Sequence, residues 1–395
     1  MQKREQLFEI PYGTRDFLPE DAVEMRHLES TAAALFHQWG YDEVKTPAFE
    51  YLDTLTRANG ASLESSLFKL VDRDNRMIAL RHEMTSPIAR LVSSRMKRDN
   101  LPLKLSYISD VFRFEDAQSG RQCAFHQAGV ELLGSSSSAA DAEVIALAIE
   151  SLKAMGLEDF QVSLGQADFI NGLLRQMNLS AEQQSSAKSA LERHDLVALE
   201  QLSEEAALSP ANREALTELS GLHGKEEILD RAYQLSFNEQ SRRAVDNLSE
   251  IYRLLKVYGV EGYVYFDFGV TRDLSYYTGM VFEVYALGLG YPICGGGRYD
   301  DMFESFHHPC PATGFALGLE RVLAAKKQQG FAYSAADRHD FYISFTASKL
   351  SAALQKAKEL RASGYSVFLS LQAESEEEAR QSARAHACKE LVYCS

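Results

Sequence analysis

Residues 104–134 read KLSYISDVFRFEDAQSGRQCAFHQAGVELLG, and no other stretch constrains the fold as much. Apolar residues at Leu103, Leu105, Tyr107 and Val111 recur close to every second position, which predicts a strand from Leu103 to Phe114. A second, mostly apolar strand follows from Phe125 to Leu133. The polar segment between them bends at Gly120, so the pair reads as an antiparallel hairpin. Set into it are Arg113, Glu115, Arg121, Gln127 and Glu131. Alternation along a strand puts Arg113 with Glu115, and Gln127 with Gly129 and Glu131. One sheet face then carries a guanidinium, an amide and carboxylates. Polar groups on a buried face need partners, and a small zwitterion such as an amino acid can supply them.

The rest of the composition narrows the class. A chain of 395 residues has room for two or three domains, and 45% hydrophobic with 25% charged residues is ordinary for a globular protein. The longest apolar runs fall far short of a membrane span, and the opening MQKREQLFEIPYG lacks the apolar core of a signal peptide. Five scattered cysteines without metal-ligand spacing fit a reducing cytoplasm. His307 and His308 beside Cys310 read as a loop rather than a zinc cluster, because no second ligand pair follows. A formal charge of −15 and a pI near 5.2 mean that RNA binding would need a local basic patch.

Periodicity sets out the remaining elements. A helix is expected over 20–39, with Pro19 before it and an apolar face through Val23, Leu28, Ala32, Leu35 and Phe36. Residues 76–82 read as a strand and 85–96 as a helix. Thr85 and Glu83 are candidates for capping that helix, a role compatible with ligand binding. Four serines precede an apolar periodic run, predicting a Ser-capped helix over about 139–155. Residues 166–256, rich in Ala, Leu, Glu and Gln with only Pro210, form a helical insertion. Strands resume at 263–270 and 280–287. GGGR at 295–298 has the composition of a plain loop, though a ligand cradle is the other reading. Beyond Gly330, strands at 340–345, 365–371 and 390–394 alternate with helices, implying parallel strands. The expected division is a core of 1–165 and 257–330, an insertion of 166–256, and a small α/β unit of 331–395.

The hairpin resembles motif 2 of the class II aminoacyl-tRNA synthetases, in detail that of histidyl-tRNA synthetase. GFALGLERVL (314–323) is similar to motif 3, a strand running into a helix with Arg321 one turn in. TRDLSYYTGMVFE (271–283) and CGGGRYDDM (294–302) resemble the histidine-specific segments, and IPYGTRDFLPEDA (10–22) resembles the family's opening. These matches occur in order across roughly residues 7–325. Singly each has a structural reading: Arg321 as a solvated helix face, Tyr276 and Tyr277 as strand packing. The resemblance implies an α+β fold, a mixed, mainly antiparallel sheet flanked by helices, with a truncated α/β C-terminal domain. It also implies dimer formation through VKTPAFEYLDTL (44–55).

Several positions depart from a working synthetase. Asp116 and Ala117 stand where the family has a basic residue and proline, and Cys123 where it is usually basic. Arg272-Asp273-Leu274-Ser275 replaces Arg-Gly-Leu-Asp, and Glu376–Glu378 open a helix where lysines are usual. Carboxylates repel phosphates within a Debye length of about 8 Å. LRHEMTSPIAR (80–90) is closer to the LRPDMTxPIAR style of the regulatory subunits of ATP phosphoribosyltransferase, with His82-Glu83 for Pro-Asp. The resemblance to that family implies a non-catalytic subunit without cofactor or functional tRNA binding. It would bind L-histidine and form a homodimer within a hetero-oligomer with the short-form catalytic subunit. The implied histidine site is Glu83, Thr85, Arg113, Gln127, Glu131, Arg272, Tyr276, Tyr277 and Tyr299. Arg113 would take the carboxylate; Glu83, with Thr85 and Gln127, the ammonium; Glu131 the imidazole. Glu115, Arg121 and Arg321 would be remnants of a nucleotide site. The alternatives are an active histidyl-tRNA synthetase with a short tail, and a paralogue that adenylates an amino acid for another acceptor.

Overall fold

A computed structural model describes residues 8–114, 122–193, 195–269, 277–331 and 339–395. The chain divides into two compact units at Gly330. The first holds strands β1 (Asp42–Glu43), β2 (Phe49–Tyr51), β3 (Lys69–Val71), β4 (Met77–Leu80), β5 (Leu103–Phe112), β6 (Ala124–Leu133), β7 (Phe160–Gln166), β8 (His223–Gly224), β9 (Val264–Asp267), β10 (Met280–Ala286), β11 (Cys294–Arg298) and β12 (Ala312–Gly318). Nine of them make one sheet in the order β1-β5-β6-β12-β11-β10-β7-β9-β8, while β2, β4 and β3 form a small separate sheet. Neighbours in the large sheet are antiparallel except β1 with β5 and β7 with β9. This is the mixed, mainly antiparallel sheet expected.

The helices of this unit are α1 (Pro19–Gln38), α2 (Leu52–Asn59), α3 (Thr85–Leu91), α4 (Ser138–Ala154), α5 (Ala167–Gln176), α6 (Ala181–Glu192), α7 (Leu196–Glu205), α8 (Pro210–Leu219), α9 (Glu227–Leu235), α10 (Glu239–Tyr258) and α11 (Leu319–Gln328). Helix α4 is apolar over most of its surface, with Val144–Ile149 all buried, and it packs between the sheet and α10. Its Ser137 hydroxyl accepts from Ala140 N at 3.3 Å, the cap read from the serine run. The apolar face of α1 differs from expectation. Met25, Leu28, Ala32 and Phe36 are buried, whereas Val23 is exposed and Leu35 only half-buried. The i, i+3, i+4 steps from Met25 fit the helical repeat better than steps from Val23.

The two faces of the large sheet are chemically unlike. One carries Ala128, Val130, Leu132, Leu164, Phe282, Val284, Phe315 and Leu317, all in the main core. The opposite face, carrying Gln127, Gly129 and Glu131, meets α3 and a 3-10 turn at Asp300–Phe306 through Met84, Ile88, Tyr107, Tyr299, Met302 and Phe303. GGGR is not a loop: Cys294–Arg298 is strand β11, paired on both sides, which satisfies its backbone despite the weak strand preference of glycine.

The second unit, Phe331–Ser395, contains β13 (His339–Phe345), α12 (Leu350–Ala362), β14 (Val367–Leu369), α13 (Glu376–Ala385) and β15 (Cys388–Cys394). Strand β13 lies between β14 and β15 and runs parallel to both. The acidic start of α13 has a local cause. Ser375 and Glu378 form a reciprocal capping box, and Glu376 pairs with Arg380 at 2.6 Å.

Candidate functional site: a glycine-paved trough with a buried carboxylate

Strand register assembles the site. Across the hairpin, Gln127 stands opposite Ser109, Gly129 opposite Tyr107, and Glu131 opposite Leu105. On the other flank of β6, the same three meet Gly318, Ala316 and Gly314 of β12, and Gly297 of β11 follows beside Gly314. The centre of this face is therefore paved with small residues. A Cβ at Gly129 would stand 2.5 Å from Tyr107 Oη, and one at Gly314 would stand 2.4 Å from Glu131 Oε2 and 3.0 Å from Tyr299 Oη. The ring of Tyr277 lies over Gly297 in the same way, 2.7 Å from where a Cβ would sit.

Glu131 is the electrostatic centre. It is 2% exposed; its Oε1 accepts from the Thr85 hydroxyl at 2.9 Å, and its Oε2 has no hydrogen-bond partner among the described residues. Burial pushes its carboxyl well above the usual range, and the nearby charge of Glu83 adds to that, against the pull of the Thr85 bond. The same burial, with Glu131 and Glu83 close by, raises the Tyr107 phenol.

Glu83 holds the start of α3. Its carboxylate accepts from Thr85 N and, at 3.0 Å, from Ser86 N. Thr85 does not cap the helix; its hydroxyl is turned to Glu131 instead, and the carboxylate two residues earlier meets the free N–H groups and the helix dipole. Arg113 leaves β5 with its Nε donating to His82 O at 2.9 Å and its guanidinium carbon 5.3 Å from the Phe125 ring centre. Gln127 Oε1 is buried and also without a partner among the described residues. Glu83, Thr85, Arg113, Gln127, Glu131, Tyr277 and Tyr299 thus belong to one face. Glu115, Arg121, Arg272 and Tyr276 lie outside the described residues. Arg321 is not a solvated helix face: its Nη1 donates to Pro292 O at 2.7 Å and its guanidinium stands 5.3 Å from the Tyr291 ring centre.

Sequence reading missed two supports. Tyr107 counts in the hairpin only as an apolar position, although pairing the strands would have put it over Gly129. Asp141 and Arg298 form a bidentate ion pair on the apolar face, with Arg298 Nη2 to Asp141 Oδ1 at 2.8 Å. Arg298 Nη1 also donates to Ser135 O and to Asp300 Oδ1, both at 3.0 Å, and Asp300 N donates to Thr278 Oγ1 at 3.0 Å. This network fixes both neighbours of Tyr299 and the residue after Tyr277.

Comparison with known proteins follows the same lines. Residues 13–322 match the family described as histidyl-tRNA synthetase. The chain is 44% identical over 377 residues to the ATP phosphoribosyltransferase regulatory subunit of Moorella thermoacetica, covering 95% of this chain and 96% of that one. The chain belongs to the ATP phosphoribosyltransferase regulatory subunit family, on a histidyl-tRNA synthetase-like fold. The corresponding regulatory subunit of Desulforamulus reducens is 42% identical, with 96% and 94% covered. A solved structure described as an ATP phosphoribosyltransferase regulatory subunit/histidyl-tRNA synthetase from Bacillus halodurans superposes with a TM-score of 0.87 at 34% identity, over 98% of both chains. Histidyl-tRNA synthetase from Nostoc sp. PCC 7120 superposes at 0.84 with 22% identity, over 96% and 90%, a likeness of fold.

Proposed function

We propose that this family member binds L-histidine in the trough and confers activation and feedback inhibition on a short-form ATP phosphoribosyltransferase catalytic subunit, in the first step of histidine biosynthesis. It carries out no catalysis itself and works as a homodimer within a cytoplasmic hetero-oligomer. The observation that carries the reading is Glu131, a buried carboxylate with one oxygen bonded to Thr85 and the other unpartnered over Gly314. An unpartnered polar atom at that depth costs about 1–3 kcal/mol, and an imidazole N–H offsets that cost. Glu83 and Gln127 supply acceptors for an α-ammonium, Arg113 a fork for the carboxylate, and Tyr277 and Tyr299 hold the ring; Arg272 and Tyr276 complete the site.

The synthetase reading draws on the matched family and on the retained Arg113 and Arg321, which with Glu115 and Arg121 would form a nucleotide site. Asp116, Ala117 and Cys123 remove positive charge where phosphates and an acceptor stem would approach, and Glu376–Glu378 put carboxylates on the C-terminal unit. Those substitutions favour regulation. Co-purification with the short catalytic subunit, followed by a phosphoribosyl-transfer assay with and without histidine, tests the proposal. Histidine-sensitive activity in the mixture, and none in this chain alone, is the expected result. Histidine charging of tRNA by the isolated chain would overturn it.

A further inference from the structure

The open end of the hairpin is fastened on the side away from the trough. Asp110 of β5 stands opposite His126 of β6, which alternation puts on the face of Ala128 and Val130. The ladder between β6 and β12 ends at Gln127 and Gly318. His126 N, one residue past that last pair, donates instead to both carboxylate oxygens of Glu320 at 3.0 Å, in the first turn of α11. The His126 ring lies between two carboxylates. Its Nδ1 is 2.7 Å from Glu320 Oε1 and its Nε2 is 3.0 Å from Asp110 Oδ1. A neutral imidazole has one donor and one acceptor, whereas the imidazolium donates to both sides.

The remaining neighbours favour the same charge. Glu29 of α1, paired with Arg26 at 2.7 Å, adds a third carboxylate to the surroundings. The Phe17 ring stands nearly perpendicular to the imidazole, with ring centres 5.4 Å apart. Arg15 lies over the Phe17 ring and is taken up by Asp21 at 3.0 Å. The bond to Glu320, helped by the charges of Asp110 and Glu29, raises the basicity of His126 against the opposing effect of burial.

We propose that His126 is a positioning residue: as an imidazolium it clamps β5, β6 and α11 together, and losing that proton loosens the trough's hold on histidine. The neutral ring keeps one bond and turns a lone pair towards the other carboxylate. The strain falls on the end of the hairpin, where Gln127 follows His126 and Arg113 follows shortly after Asp110. The effect on the ligand rests on the histidine-binding reading above; the clamp itself does not.

Asp110→Asn tests both parts. Asp110 is more than half exposed, so the change spares the core. The new amide donates to Nε2 while Nδ1–H stays on Glu320, so a neutral His126 makes both bonds. NMR titration of the full chain, with the His126 signal identified by its loss in His126→Gln, should place its ionisation above the ordinary 6.5 and lower in Asp110→Asn. Calorimetry then compares histidine binding by the two proteins, which cancels the ligand's own titration. Their affinities should be nearly level at about pH 6, with the unmodified protein about fivefold behind by about pH 9, the low end of couplings between sites. Ionisation of His126 at or below the ordinary value would overturn the clamp. A raised ionisation with a constant affinity ratio would overturn its hold on the trough. An unmodified protein that binds no histidine at any pH would overturn the histidine reading and the link to the trough, leaving the clamp to be decided by the titration.

Discussion

Thr85 donates its hydroxyl proton to Glu131 across 2.9 Å, joining the first turn of α3 to the last third of β6, 46 residues further along the chain. The bond consumes one carboxylate oxygen and leaves the other aimed over Gly314. It also withdraws Thr85 from capping duty, which Glu83 performs. One hydroxyl thereby sets the division of labour among three site residues.

Removing Glu131 should damage binding more than folding. Glu131→Ala is expected to lose about 1–3 kcal/mol of histidine affinity, a roughly 5- to 150-fold change, because the ligand's ring N–H is left without an acceptor. Calorimetric titration checks this. Affinity equal to that of the unmodified chain would mean the ring lies elsewhere.

The same residue makes the ligand-free protein sensitive to pH. Its folded pKa is raised well above the ordinary 4.5, so the native state holds a proton that the unfolded state has released. The associated stability is complete below the unfolded value and is lost as pH rises through the folded one, by up to about 1.4 kcal/mol for each unit of separation. Glu131→Gln cannot ionise. Without histidine, its melting temperature should therefore gain on the parent's as pH rises from about 5 to about 9, with the two nearly level at the acid end. Parallel curves across that range would show that Glu131 ionises in the fold as it does in water.

Much of this was legible in the sequence, and what was not has common physical causes. Period-two and period-3.6 patterns are local, so the hairpin, the motif 3 strand and helix, and the helical insertion could be read from neighbours alone. The Thr85 cap was misassigned because the start signal favours hydroxyls, whereas a competing bond to Glu131 depends on a residue far away in sequence. Cys294–Arg298 looked like a loop because three glycines carry no strand preference, and two flanking strands supplied the order. The acids at Glu376–Glu378 were read only for their repulsion of phosphates, although Ser375 with Glu378 is a capping box visible in the sequence itself. Asp141 and Arg298, 157 residues apart, left no local trace.

That ion pair should be expensive to break and inexpensive to replace. Arg298→Met leaves Asp141 buried without its partner and is expected to cost about 3–5 kcal/mol in denaturant unfolding. The double change Asp141→Leu with Arg298→Met should recover most of that, since no charge remains to be buried. Histidine affinity should still be weaker in the double variant, because Asp300 and the backbone around Tyr299 lose their anchor. Full affinity would show that the two tyrosines are held independently.

Control of a partner has a reciprocal signature. If histidine binds inhibited and active assemblies with different affinity, substrates of the catalytic subunit must weaken histidine binding by the factor that histidine weakens theirs. Couplings of about 1–3 kcal/mol give a roughly 5- to 150-fold change. Histidine titrated into the mixed complex with and without phosphoribosyl pyrophosphate measures it. An unchanged affinity would leave this chain a role in activation or stability alone.

Strands β7 and β9 are parallel neighbours, with Val162 beside Val264 and Leu164 beside Phe266. Parallel strands cannot be joined by a tight turn; the chain must travel back along the sheet first, which a dozen or so residues accomplish. Here the return path carries six helices. Helix α10 lies against both α4 and α5, and against β7, so it does the covering that a minimal return would do. Helices α6 to α9 lengthen that path, and between α8 and α9 the chain touches the sheet again, where β8 pairs with β9. Substitutions at the exposed positions of these helices leave the register of β7 against β9, and with it the trough beyond β10, as it is. The outer surface of these helices can therefore vary in its contacts without touching the residues that line the trough.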